Sequence, residues 1–485
     1  MGSEGLHEEE KTMEYLKDDV SEPVSPTGQY FNSSVLSICI LAVLESEIPI
    51  DDSSTMSLLK DVFLPINPRF SSIMVRDKNG VKKWKKFDVN LKDHVNVPIF
   101  PSGLSLKSYD DYLNEYLSRT AMEQLPQSRP LWEIHIFKYP TKNAAGTVVF
   151  KLHHALGDGF SLMGALLSCL QRADNPSLSL TFPTLQWPSK MDSDSASSSI
   201  FSDVPRFLSS AYNTLSDFGW SLLKSSCVED DRTPIRSGDP GVEFKPIAIT
   251  TITFSLDHIK EIKTKLGVTI NDVVTGIIFF GTRLYMQSSN NHKLKKNAHS
   301  TALVLLNTRD IGGYKCVKDM VKPDAESPWG NQFGFLHISI PESTDHTDES
   351  PNPLEFVLKA QKVIKRKRSS LAVNLTGRLL EALRKFTGPE ATARYIHSTL
   401  KNSSMTISNL IGPVEQMALA DHPINGLYFM VVGVPQSLTI TMVSYMGKLR
   451  IAVGTEKGFL DPNKFQECIG NAFEIILKAA QEIHS

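Results

Sequence analysis

The chain is poor in the features that would place it outside the ordinary enzymes. Of its 485 residues only five are cysteine, namely Cys39, Cys169, Cys227, Cys316 and Cys468. They lie far apart, none in CxxC spacing, and their odd number argues against a disulfide framework. A reducing compartment suits them, each acting as a small buried hydrophobe. Charge of one sign is lacking too. Lys and Arg number 51 and Asp and Glu 53, a formal net charge of −2, so no global field selects nucleic acid or an acidic partner. Long apolar runs are missing. The most apolar early stretch, Val35 to Leu44, is well short of the roughly 20 residues a span needs, so any membrane contact is expected to be peripheral. The first residues carry Glu8, Glu9 and Glu10 but no basic or apolar leader, which does not read as a secretory signal. Leu6 stands where a myristoylation motif needs Ser or Thr. No Gly-x-Ser-x-Gly elbow occurs, which removes the usual mark of a Ser-His-Asp hydrolase.

What is present is a large, mixed chain with 41% hydrophobic residues, ample for two cores. After a flexible segment over 1–22, residues 23–180 alternate strand-like and helix-like stretches. Val35–Leu44 reads as a buried strand or a short helix. Tyr109, Tyr112, Leu113, Tyr116 and Leu117 follow the spacing of an amphipathic helix, closed by Pro126 and Pro130. Trp132–Phe137 and Thr147–Leu152 read as strands, and Phe160–Leu170 as a helix. Residues 181–243 form a linker and crossover, polar around Ser193–Ser199. Inside it Phe201–Leu223 has the pattern of an amphipathic helix, packed between domains or lying on a membrane.

A second domain is assigned to 244–485. It has a strand over Ile249–Phe254 and a helix over Asp257–Leu266 between Ser255 and Gly267. Thr269 and Asp272 are spaced as a capping box, and Ala302–Leu306 reads as a strand. A hairpin turns at Met446-Gly447, and a last helix begins at Pro462. The fold class is α/β, or α+β, in two domains.

Chemistry concentrates in His153-His154-Ala155-Leu156-Gly157-Asp158-Gly159. Successive side chains of a strand point to opposite faces, so the two histidines diverge, one inward and one toward a cleft. That divergence, with no Cys/His cluster nearby, speaks against a metal site. A neutral imidazole is the natural base for a hydroxyl near neutral pH. Asp158 either orients it directly or anchors the loop through an arginine, and Gly157 and Gly159 let the backbone turn tightly.

This His-His-x-x-x-Asp-Gly resembles the active-site motif of the CoA-dependent acyltransferase superfamily. Pro23-Val24-Ser25-Pro26, Arg129-Pro130-Leu131-Trp132-Glu133, Asn271-Asp272-Val273-Val274, Trp329-Gly330-Asn331-Gln332 and Ser408-Asn409-Leu410-Ile411-Gly412-Pro413 resemble, in order, further motifs of one branch, the wax ester synthase/diacylglycerol acyltransferase family, and of its plant members in particular. Thr27 and Gly28 depart from the Met-Asp of many bacterial members. The resemblance implies two chloramphenicol-acetyltransferase-like domains with a tunnel between them. It also implies transfer from acyl-CoA, a substrate, with no cofactor and no metal, to a long-chain fatty alcohol or diacylglycerol. His154 would be the catalytic base, supported by Asp158 and His153. Gly159, Asn271, Asp272 and Trp132 would contribute to substrate binding. Transfer to a soluble alcohol or amine, and lipid binding without catalysis, are the alternatives.

The expected location is the cytosolic face of the endoplasmic reticulum membrane, with the plasma membrane as alternative. Two basic runs remain. Lys359 to Arg368 reads as a solvated helix face, or as a contact for CoA phosphates or an anionic membrane. Lys82-Lys83-Trp84-Lys85-Lys86 reads as an exposed strand or turn with Trp84 at a membrane interface. Neither resembles a nucleic-acid module.

Overall fold

The structure is a computed structural model. It describes residues 22–78, 81–182, 214, 216–289, 298–307, 320, 325, 329–341, 352–368 and 372–483. The expected flexible segment over 1–22 (all but its last residue), most of the polar linker and the first half of the Phe201–Leu223 helix lie outside them.

In chain order the strands are β1 (Glu22–Pro23), β2 (Cys39–Ser46), β3 (Ser72–Arg76), β4 (Lys82–Lys86), β5 (Val95–Asn96), β6 (Trp132–Phe137), β7 (Gly146–His153), β8 (Leu170–Arg172), β9 (Ile247–Ser255), β10 (Thr301–Asn307), β11 (Phe333–Ser339), β12 (Met405–Ile411), β13 (Met417–Leu419), β14 (His422–Val432), β15 (Leu438–Tyr445) and β16 (Lys448–Glu456). They build a seven-stranded sheet, β5-β6-β7-β2-β14-β13-β8, a six-stranded sheet, β11-β10-β12-β15-β16-β9, and a small one, β1-β4-β3. From Cys39 onward the ambiguous Val35–Leu44 stretch is strand β2, which lies beside β7 with Cys39 opposite His153. Every residue of both strands is buried. A strand covered on both faces loses its alternation, and periodicity then no longer tells strand from helix.

The assignment of 23–180 and 244–485 to separate domains needs a correction. β13 and β14 leave the second half of the chain and complete the sheet of the first, β14 pairing along the whole of β2. Where it crosses over, the ladder carries an irregularity at Ile424/Gly426. Gly426 has no room for a side chain, since a Cβ there would stand 1.9 Å from Glu45 Oε2. That carboxylate receives both Nη groups of Arg450 from the other sheet, one at 2.8 Å. The two lobes are therefore joined by a shared sheet and a half-buried bidentate ion pair, the geometry that makes Arg–carboxylate pairs strong and directional.

Local signals in the second lobe have the predicted effect. Ser255 caps the helix Leu256–Leu266, and Gly267 ends it with φ 62°. Thr269 and Asp272 form a full capping box on the helix Ile270–Ser288. Met446 and Gly447 take φ 50° and 69°, the positive values a tight hairpin turn needs.

Three expectations about surface segments change. Trp84 is only 3% exposed and packs in the first lobe's core, so it is unavailable to a membrane interface. The basic helix Leu354–Arg368 is not a solvated face to its end, because Arg366 and Lys367 both bind Asp217 at 2.9 Å. Asp217 belongs to a helical stretch over 216–226, and the same stretch sends Lys224 into a buried pair with Asp230. This part of the crossover is pinned to the second lobe by buried charges.

Candidate active site

β7 ends at His153, the chain turns over 154–158, and a helix begins at Gly159. The two histidines diverge as expected. His153 is fully buried. Its Nδ1 accepts the Ala155 N–H at 3.1 Å, so its proton sits on Nε2, which faces Ser37 Oγ at 3.1 Å. Both nitrogens are used, and burial holds the ring's pKa down to about 3. His153 is a neutral strut of the sheet rather than a reacting group.

His154 lies on the other side. Its backbone N–H donates to Ile38 O at 2.8 Å. Its ring leans on Phe31 at 4.7 Å and Phe333 at 5.5 Å between centroids. Its Nδ1 meets Asn331 Oδ1 at 2.8 Å, and Asn331 Nδ2 donates to the His154 carbonyl at 3.0 Å. The second bond fixes the first. A carbonyl only accepts, so the amide nitrogen must face it and the amide oxygen must face the ring. Nδ1 therefore carries the proton, and Nε2 holds a lone pair that no described residue takes. Burial lowers this imidazole's pKa, while the Asp158 charge and the Asn331 hydrogen bond raise it against that trend. The result is a ring that is neutral at ordinary pH with Nε2 available as a base.

Asp158 works through the backbone. It is the N-cap of the helix Gly159–Ser168, accepting the Ser161 N–H at 2.9 Å, and its other oxygen accepts the Gln332 N–H at 2.8 Å. The segment 329–332 is laced along the motif loop by further bonds. Trp329 Nε1 donates to Leu156 O at 2.7 Å, and Ser161 Oγ donates to Gly330 O at 3.0 Å. Gly330 takes φ 138°, a conformation that favours glycine. Gly157 is close-packed, since a Cβ on it would come within 2.9 Å of Ser161 Cβ. Asp158 thus holds in register the very segment that presents Asn331 to His154.

The other nominated residues fall in different places. Gly159 is the first residue of the helix and faces Leu410 of β12. Asn271 opens the helix Ile270–Ser288 and accepts Asn409 Nδ2 at 2.7 Å, joining two sequence motifs one residue from Leu410. Asp272 is buried in the capping box, its Oδ2 taken by the Thr269 N–H and hydroxyl at 2.9 and 2.8 Å. Its work is to start a helix. Trp132 requires correction as a substrate-binding residue. It is fully buried, stacks on His94 at 4.1 Å and donates to Phe70 O at 2.8 Å, all within the first lobe's core. The sequence alone assigns Asn331 no role. Its only signal was its place after Trp329-Gly330. Among the described residues no cluster of His, Cys, Asp and Glu fit for a metal is present.

Between the lobes, on the His153 side of the strand, lies a cavity of about 100 Å³. Ser33, Ser37, Glu123, Glu243, Phe244 and Val432 are among the residues that line it.

Comparison with known proteins places this geometry. Residues 63–274 match the wax ester synthase/diacylglycerol acyltransferase catalytic domain, and 329–477 match the WS/DGAT C-terminal domain. Wax ester synthase/diacylglycerol acyltransferase 4 of Arabidopsis thaliana is 31% identical over 91% of this chain and 88% of its own. The chain belongs to the wax ester synthase/diacylglycerol acyltransferase family. A second relative, wax ester synthase/diacylglycerol acyltransferase 11 of the same plant, is 28% identical over 98% of both chains. In fold the chain is similar to the solved wax ester synthase/diacylglycerol acyltransferase from Marinobacter aquaeolei VT8. The TM-score is 0.58 at 16% identity, over 95% of this chain and all of that one. The two-lobed architecture is that of the CoA-dependent acyltransferases, and the chain is an acyl-CoA-dependent O-acyltransferase.

Proposed function

We propose that the chain esterifies a long-chain fatty alcohol, diacylglycerol or both with the acyl group of acyl-CoA, and that His154 Nε2 is the general base. The observation that carries the mechanism is the pairing of Nδ1 with Asn331, which leaves Nε2 as the basic nitrogen beside the apolar rings of Phe31 and Phe333. A thioester is already activated. The protein has to orient a hydroxyl, take its proton onto Nε2 as oxygen attacks the thioester carbon, and return that proton to the departing CoA sulfur. A general base of this kind contributes about 10²–10⁴ in rate. As the imidazolium forms, Asn331 Oδ1 and the Asp158 charge stabilise it, both acting in the direction that raises the ring's basicity. No covalent enzyme intermediate, cofactor or metal enters this scheme. The apolar flank of His154 and the family's named members support a lipid acceptor. Work at the cytosolic face of the endoplasmic reticulum or at the plasma membrane, where acyl-CoA meets such acceptors, belongs to the same proposal.

The test is purified protein given long-chain acyl-CoA with a fatty alcohol, diacylglycerol, or a soluble alcohol or amine. Wax ester or triacylglycerol and stoichiometric free CoA are expected. Product with the soluble acceptors alone would overturn the lipid reading. Acyl-CoA binding without CoA release would show a lipid-binding protein.

A further inference from the structure

The helices Ala372–Thr387 and Pro389–Lys401 form a hairpin turning at Gly388, which takes φ 84°. Its inner side is built into the site. Ala393, Ile396 and Leu400 join one buried cluster with Phe31, and Leu380 packs against it. Phe31 and its stacking partner Phe333 are the rings that flank His154. The second helix also reaches the rim of the interlobe cavity, through Ser34 Oγ to Glu390 at 3.1 Å and His397 Nε2 to Glu243 at 3.0 Å.

Its outer side has another character. Phe386, at the tip, is 80% exposed, with the Lys385 ammonium 6.0 Å from its ring. Arg378, Lys385 and Arg394 are exposed. Residues 372–401 carry five Lys and Arg against two Glu, in a chain whose net charge is −2. Of the two carboxylates, Glu381 is engaged by Arg384 and Glu390 by Ser34. An exposed aromatic tip beside a lysine, on a basic element whose other side packs against the ring that flanks His154, suits one kind of surface. The ring enters the boundary of a bilayer, and the cations meet anionic headgroups. None of the helices among the described residues is long and apolar enough to cross a membrane.

We propose that this hairpin tip is a docking face for an anionic lipid surface, seating the hairpin that packs behind Phe31 and His154 on the bilayer that holds the acceptor. The acceptor part rests on the lipid reading above, and the docking part does not. The experiment is co-flotation of the full chain with phosphatidylcholine vesicles, with and without phosphatidylserine. It is paired with esterification of a fatty alcohol presented in those vesicles or in detergent. The parent should bind the anionic vesicles in a salt-sensitive way. Lys385→Glu with Phe386→Glu should bind about tenfold or more weakly, since each basic residue and buried ring contributes appreciably at such a surface. Its activity should fall with vesicle-borne acceptor and hold with detergent-borne acceptor. Phe386→Ser alone should show the same trend, should the double variant melt early. Ile99→Glu, at another site that is 91% exposed, should bind as the parent does. Equal binding by parent and tip variants, a parent that ignores anionic vesicles, or loss through Ile99→Glu instead would overturn the proposal. Vesicle binding as expected, with no ester from any acceptor, would strike the proposed function and leave the docking face standing.

Discussion

His153 and His154 are neighbours in sequence, both buried, both with pKa values lowered by burial, yet the regions around them have opposite purposes. On the His153 side every nitrogen is satisfied by the sheet's own surroundings, by Ala155 and Ser37. On the His154 side one nitrogen is fixed by a residue 177 positions away and the other is taken by no described residue. Burial alone makes a structural histidine. A base needs burial together with one arranged partner and one open lone pair.

The contrast should show most at the two histidines themselves. His154→Ala is expected to lower acyl transfer by about 10²–10⁴, with acyl-CoA affinity and melting temperature near the parent's. His153→Ala should leave measurable transfer and act on the melt instead. It strips the buried Ala155 N–H of its acceptor, at about 1–3 kcal/mol, and the half-buried Ser37 hydroxyl of its partner. Near-parental activity in His154→Ala would break the comparison.

Asp158→Asn comes next. The substitution keeps the size but turns one acceptor oxygen into a donor that faces either the Ser161 or the Gln332 N–H. Activity and melting temperature should fall together, by about 1–3 kcal/mol in stability. An unchanged melt would show that the link from Asp158 to segment 329–332 is dispensable.

Asn331→Ala should cost less than losing the base and more than a surface change. A hydrogen bond to a group that becomes charged is worth about 1.5–3 kcal/mol, so roughly ten- to a hundredfold in kcat is expected with little change in KM. A KM effect alone would make Asn331 a binding residue.

Smallest is a pH effect on stability. His135 and His153 are held to about 3 and His337 to about 4, each chiefly by burial. Unfolded, they titrate near 6.5. Between those values the unfolded chain binds more protons, so keeping these rings neutral costs nothing at neutral pH and becomes destabilising as pH falls below about 6.5. Urea midpoints should drop between pH 7 and 5, and by less in His337→Gln.

Much of this site was legible from residues alone. The strand, the tight loop, the helix after it and the divergence of two adjacent histidines follow from the two-residue period of a strand and from the glycines. The partner was not legible. Asn331 reaches His154 only after the chain has built half the second lobe, and nothing local marks an amide as a tautomer lock. β14 went unread for a related reason. It completes a sheet begun some 380 residues earlier, opposite β2, and sequence proximity misled the domain boundary. Trp132 and Trp84 do not declare their burial, because in sequence an aromatic residue looks the same whether it lines a pocket, meets a membrane or fills a core.

The central claim is that His154 acts as a neutral base through Nε2, with Nδ1–H held by Asn331. The pH profile of kcat/KM, measured for the parent and Asn331→Asp, tests it most directly. The parent's activity should rise with pH through a value below the ordinary imidazole pKa and stay flat across neutrality, since burial outweighs the raising effects. A carboxylate at 331 favours the imidazolium, so the ascending limb of Asn331→Asp should move to higher pH. A limb that stays in place, or activity that falls as pH rises through this range in the parent, would contradict the account.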